Sequence, residues 1–163
     1  GSAPKGYVLL MRHSYAPGVG DPDNFKLNDC STQRNLSDVG RQDAQDVGEW
    51  LQRREIKIFR VETSRWCRAK ETAQLLWLGK VRLNKNLDSL FEEADALNHP
   101  QTAAVRKQIQ NHRNKTGLLV LVGHYVNIAA LTGVGVASGE GILIKANALG
   151  EFKVFGATPK LNR

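Results

Sequence analysis

Three short segments of this sequence carry side chains suited to handling a phosphate group: Arg12-His13, Ser64-Arg65-Trp66-Cys67-Arg68 and Gly123-His124. Guanidinium forks bind phosphate oxygens two at a time, and the exposed N–H groups at helix starts add donors and the positive end of a dipole. A neutral imidazole whose other nitrogen is fixed by a hydrogen bond can attack phosphorus. One histidine could then carry a phosphoryl group while the other clamps it. A lone histidine at the end of a buried strand is an ordinary structural residue, since loop ends tolerate polar groups. Two of them, each beside a cation or a glycine, point instead to a site. Arg65 and Lys70 are expected to be solvated helix residues, and His99 and His112 surface residues. Ser14 is no hydrolase nucleophile, because Gly-x-Ser-x-Gly is absent around it. The run from Gly133 to Gly141 lacks the Gly-Lys-Ser/Thr ending of a phosphate loop.

The elements that position these residues can be read from hydrophobic periodicity. Tyr7 to Met11 and Leu118 to Val122 are continuous apolar runs of strand length, the pattern of strands buried on both faces of a parallel sheet. Ile56 to Glu62 reads as a third strand. Val81 to Leu83, Ile142 to Ile144 and Phe152 to Phe155 supply edge strands, the last of them antiparallel. Helices fill the gaps. Ser37 caps one that carries Ala44, Val47 and Leu51; Thr63 or Ser64 caps a second with Ala69, Ala73 and Leu76. Pro100 suits the first turn of a third, and a fourth runs from about Tyr125 to Leu131, stopped by Gly133. This order predicts an α/β three-layer α/β/α sandwich with a mostly parallel central sheet and an antiparallel edge strand. In such sheets ligands bind outside the carboxyl ends of the strands, which is where all three polar segments fall.

The chain of 163 residues, with 41% hydrophobic and 24% charged residues, has the composition of one globular domain rather than of a disordered or fibrous chain. Residues 1–163 are read as one domain, with 1–5 a tag-cleavage scar and start of chain. No apolar run approaches the roughly 18 to 20 residues of a membrane-spanning helix. The formal charge of +7 favours an anionic partner. The basic residues are scattered rather than striped with aromatics, so nucleic acid is not the expected partner. Two cysteines, Cys30 and Cys67, lack metal-type spacing. They are either buried thiols or a single bridge in an oxidising compartment.

Leu10-Met11-Arg12-His13-Ser14 resembles the first motif of the histidine phosphatase superfamily, also called phosphoglycerate-mutase-like, in which a strand is followed by Arg-His-Gly. Asn35 to Ala44 is similar to its Leu-Ser/Thr-x-x-Gly-Arg-x-x-Ala helix opening, Ser64 to Ala73 to its Ser-x-x-x-Arg-x-x-x-Thr-Ala segment, and Val120 to His124 to its second-histidine strand. The segment Asp29 to Leu36 looks like a bacterial, often exported branch, which implies a periplasmic or secreted protein, or otherwise a cytoplasmic one. The resemblance implies that His13 is the nucleophile, that Arg12, Arg68 and His124 hold the phosphoryl oxygens, and that no metal or cofactor is needed. Positioning and cationic stabilisation then make up most of the catalysis. The general acid is implied at Glu92, by its spacing from Leu90, with Glu93 and Asp88 as alternatives; desolvation would have to keep it protonated. Ser14, in place of the usual glycine, is expected at the pocket rim. The resemblance also places Cys30 and Cys67 on one side of the sheet, near enough for a bridge. The expected function is hydrolysis of a phosphomonoester on a small metabolite, glycan or protein. The alternatives are a non-catalytic phosphate-binding domain of the same fold and a phosphomutase.

Overall fold

The computed structural model describes residues 4–161, so the tag scar read at 1–5 lies in part outside the described residues. Alternation along the two apolar strands builds both halves of the core, because successive side chains of a strand leave on opposite faces. From β1 (Tyr7–Arg12) and β4 (Leu118–Gly123), Val8, Leu10, Leu119 and Leu121 pack with Val105 and Ile109 of α3 (Pro100–Asn111) and Ile128 of α4 (Tyr125–Thr132). Leu9, Met11, Val120 and Val122 face the other way, onto Val47 and Leu51 of α1 (Asp38–Arg53) and Ala69 and Ala73 of α2 (Cys67–Leu75). Helices therefore cover both faces of the sheet, as the sequence predicts.

The sheet has six strands in the order β3-β2-β4-β1-β5-β6, with β2 spanning Ile58–Thr63, β3 Val81–Leu83, β5 Gly141–Ala146 and β6 Phe152–Ala157. The first four run parallel, β5 pairs antiparallel with β1 and the edge strand β6 antiparallel with β5, so β5 is the strand that runs against the rest. The third strand predicted from sequence starts at Ile58 rather than Ile56. Register brings three carboxyl ends level: Arg12 lies beside Gly123 and Thr63 beside Val122. The His13 N–H then donates to Gly123 O at 2.9 Å, and the Ser64 N–H to Val122 O at 3.0 Å. The ladder thus continues one residue past each strand and fixes the backbone that carries the site.

The α1 helix starts as predicted, with Ser37 Oγ accepting from the Gly40 N–H at 3.1 Å and Asp38 in the first turn. A Cβ at Gly40 would stand 2.2 Å from Tyr15 O, so only glycine lets the helix lie against the chain leaving His13. The α2 helix starts later than expected. Its N-cap is Trp66, whose indole has no acceptor for the helix N–H groups, and the Ser64 hydroxyl accepts only the Trp66 N–H just ahead of the helix. Gly133 ends α4 in the left-handed conformation, with φ of 73°.

Candidate active site

His13 projects from the end of β1 and is almost wholly buried, at 3% exposure. Its Nδ1 lies 2.8 Å from Ser14 O, an oxygen that can only accept, so Nδ1 carries the proton and Nε2 keeps its lone pair. Arg68 Nε–H donates to that Nε2 at 3.3 Å. Burial is the main cause that holds the His13 pKa down to about 3; the bond to Ser14 opposes it, and the Arg68, Arg12 and Arg34 guanidiniums push it further down. The imidazole is therefore neutral at any physiological pH. It combines a fixed tautomer, an available lone pair and cationic neighbours.

His124 stands across the pocket, its ring centroid 5.4 Å from that of His13. Its Nε2 lies 2.8 Å from Ser64 Oγ, which also accepts the Trp66 N–H at 3.1 Å. Among the described residues Nε2 is the only acceptor in reach of the Ser64 hydroxyl proton, so Ser64 donates to it. His124 Nδ1–H is left as a donor for an incoming oxygen. Burial first, then His13 and the Arg68, Arg34 and Arg12 guanidiniums, hold the His124 pKa well below 6.5.

Arg68, in the first turn of α2, is 3% exposed. Its Nη1 and Nη2 fork onto Asp21 Oδ1 and Oδ2 at 2.8 and 3.2 Å. Arg12 donates to Val136 O at 3.3 Å and lies over the Tyr125 ring, 5.3 Å from its centroid. Burial lowers its pKa, Tyr125 opposes this, and Arg68 adds to it. Arg34 reaches the same pocket from the loop after β1, tied to Gly20 O at 2.7 Å and to Ala16 O. The Asp21 carboxyl is raised by burial but held below its ordinary value overall by Arg68, the Arg34 N–H and Trp66. The pocket is about 490 Å³, and its walls include Val19, Phe91, Tyr125 and Val126. Around two neutral imidazoles, Arg12, Arg34 and Arg68 are set against two acidic residues, Asp21 and the exposed Glu92, so cations are in excess. That balance favours an anion.

Solved structures similar to the chain include several phosphatases. The protein histidine phosphatase SixA complexed with tungstate matches with 16% identity over 93% of this chain and 96% of that one, with a TM-score of 0.71. Mycobacterial glucosyl-3-phosphoglycerate phosphatase matches with 17% identity over 92% and 97%, with a TM-score of 0.65. Bacillus stearothermophilus YhfR matches with 16% identity over 92% and 95%, with a TM-score of 0.67. The chain has the histidine phosphatase fold. No protein-family model matches the sequence, and no curated protein matches it.

Within that fold the structure brings His13, Arg12, Arg68 and His124 into one pocket and places Glu92 at its exposed rim. Glu93 turns away, 3.9 Å from His99 Nε2. Asp88 is buried and consumed by Arg65, which donates to it from its backbone N–H at 2.9 Å and from Nε and Nη2 at 2.8 and 2.6 Å. Arg65 takes both carboxylate oxygens, and Asp88 does not line the pocket. Asp88 is therefore not the acid, and Arg65 clasps it from just ahead of α2 while its side chain stays 42% exposed to solvent. Ser14 is also corrected. Its side chain is fully buried and does not line the pocket, and its backbone N–H donates to Thr72 Oγ1 at 2.9 Å. His112, expected at the surface, is buried at 2% exposure against Phe59, with Nε2 2.9 Å from Gly117 O.

Cys30 and Cys67 are joined in a disulfide across 37 residues of chain, with Cα atoms 5.8 Å apart. It ties the loop that bears Asp21 and Arg34 to the start of α2. Gln33 adds a parallel tie, accepting the Cys67 N–H at 2.9 Å. Asp21, Arg34, Ser64 and Tyr125 were missed by sequence reasoning as site residues. Ser64 and Arg34 stood in recognised segments without a role assigned; Asp21 lies in an irregular loop whose path no periodicity encodes.

Proposed function

We propose that this chain is a phosphatase that hydrolyses a phosphomonoester through a phosphohistidine on His13, the substrate being a small metabolite, a glycan or a protein phosphate. The observation that carries the proposal is the fixed tautomer of His13, whose unprotonated Nε2 points at Arg68 inside a pocket with an excess of positive charge. The substrate phosphate displaces the Arg68 Nε–H from Nε2 and takes it as a donor. The Nε2 lone pair then forms the N–P bond as the bond from phosphorus to the leaving oxygen breaks, and the positive charge left on the imidazole is stabilised by phosphate oxygens. Arg12, Arg68 and His124 Nδ1–H hold the three equatorial oxygens, where the transition-state charge is spread. Glu92 is exposed in the free chain, so the bound substrate must desolvate its carboxyl for it to give the leaving oxygen a proton; it afterwards takes one from the water that hydrolyses the phosphohistidine, releasing inorganic phosphate and neutral His13.

The SixA and glucosyl-3-phosphoglycerate phosphatase neighbours support hydrolysis as the reaction class. The Cys30–Cys67 bridge supports residence in an oxidising compartment, the periplasm or the exterior, since such bonds are rare where thiols are kept reduced. The test is release of p-nitrophenol from p-nitrophenyl phosphate by the wild type and by His13→Ala, with acid-labile phosphate trapped on the protein after rapid quenching. Turnover that survives in His13→Ala, or no trapped phosphoprotein in the wild type, refutes the proposal.

A further inference from the structure

A carboxylate on the floor of an anion pocket repels the ligand, so its presence calls for another reason. Asp21 lines the pocket, and its oxygens collect donors from two parts of the chain. Oδ1 accepts from Arg68 Nη1 at 2.8 Å and from the Arg34 backbone N–H at 3.2 Å; Oδ2 accepts from Arg68 Nη2 at 3.2 Å and from Trp66 Nε1 at 3.1 Å. The guanidinium is thereby gripped at its far end, and rotation about its long axis breaks both arms of the fork. The second N–H of Nη1 goes to Arg34 O at 3.4 Å, so the donors left over are Nε–H and the second N–H of Nη2, which share the opposite edge of the group. That edge is turned to the nucleophile, with Nε 3.3 Å from His13 Nε2.

We propose that Asp21 is a positioning residue, fixing the plane of the Arg68 guanidinium so that its Nε–H and free Nη2–H meet the transferring phosphoryl group beside His13. This rests on the phosphatase reading above. The alternative, that Asp21 acts only as a local negative charge, differs in sign. Removing a mere charge tightens phosphate binding and raises kcat/KM. Removing a positioning group lets Arg68 swing, and displacement of a catalytic group by about 1 Å costs about a hundredfold in turnover, while ground-state affinity for phosphate is kept or improved by the lost repulsion.

The experiment uses the full chain with its disulfide intact. It compares the wild type with Asp21→Asn and Asp21→Glu for kcat and KM on p-nitrophenyl phosphate and for inhibition by inorganic phosphate. Asp21→Asn is expected to lose about a hundredfold in kcat with an inhibition constant equal to or below that of the wild type, and Asp21→Glu to regain part of the loss. A kcat within threefold of wild type in Asp21→Asn overturns the proposal, as does a rise in kcat/KM. A parallel loss of kcat and phosphate affinity that Asp21→Glu does not relieve also overturns it, because that is the signature of damaged structure. Vanadate-soaked crystals of the wild type and Asp21→Asn provide a readout independent of turnover. Arg68 Nε is expected to face the anion in the first and to be rotated in the second. An unmoved Arg68 refutes the positioning role, whereas absent His13-dependent turnover in the wild type refutes only the phosphatase reading.

Discussion

Acidification should unfold this protein in a way that His13 makes measurable. Burial and surrounding cations hold its pKa at about 3 against 6.5 for a free imidazole. Below pH 6.5 the unfolded chain takes up a proton on His13 that the folded chain refuses, so the unfolded state binds more protons and stability falls as pH falls, levelling off only near the folded pKa. Between pH 7 and pH 4 this one residue removes about 3 kcal/mol, at about 1.36 kcal/mol for each tenfold difference in proton affinity between the two states. The measurement is urea unfolding of the wild type and His13→Asn at pH 7, 5 and 4. Asparagine keeps an N–H donor near the position of Nδ1, so the bond to Ser14 O survives while the titration is removed. With a typical urea slope of about 2 kcal/mol per molar, the wild-type midpoint should drop about 1.5 M further than that of the variant. His124 and His112 also have lowered pKa values and act in both proteins. Equal acid sensitivity of the two proteins would refute the view of His13 as a buried, neutral base.

Glu92→Gln should slow hydrolysis of an alkyl phosphate by a factor of about 100 or more, the usual worth of general acid catalysis. It should barely change p-nitrophenyl phosphate turnover, whose leaving group needs no proton, and equal losses on both substrates would contradict the assignment. Ser64→Ala removes the group that sets the His124 tautomer and should lower kcat about tenfold or more with little change in melting temperature, as read by steady-state kinetics and calorimetry together. Replacing Cys30 and Cys67 by alanine opens a loop of 37 residues and should cost about 4 kcal/mol in denaturant unfolding on the chain-entropy model. Gly48→Ala would place a Cβ 2.2 Å from Leu76 O where α1 crosses the end of α2, and should lower the melting temperature by several degrees.

Much of this arrangement is legible from residue types. The apolar runs of β1 and β4 announce strands buried on both faces, and the polar residues that follow those runs at once become candidates for a site. What periodicity cannot encode is which partner a polar side chain finds across the fold. Arg65 and Arg68 are neighbours on one segment, yet one clasps Asp88 and the other Asp21, and neither carboxylate is near in sequence. His112 has polar neighbours in sequence, but the turn into β4 folds it beneath Phe59. Ile142 to Ile144 reads as an edge strand, but β5 lies between β1 and β6, and its direction is decided by pairing with β1, which the residues of either strand alone do not reveal.

The strand order has a consequence for biosynthesis. β4, made after β1, β2 and β3, occupies the slot between β2 and β1. A nascent chain therefore has to hold that gap open, or reopen it, until residue 124 has emerged, and the long loops closed in doing so are entropically slow to form. Neither imidazole meets the other before the final third of the polypeptide arrives, so an interrupted translation product lacks the assembled pocket however well its early helices have formed.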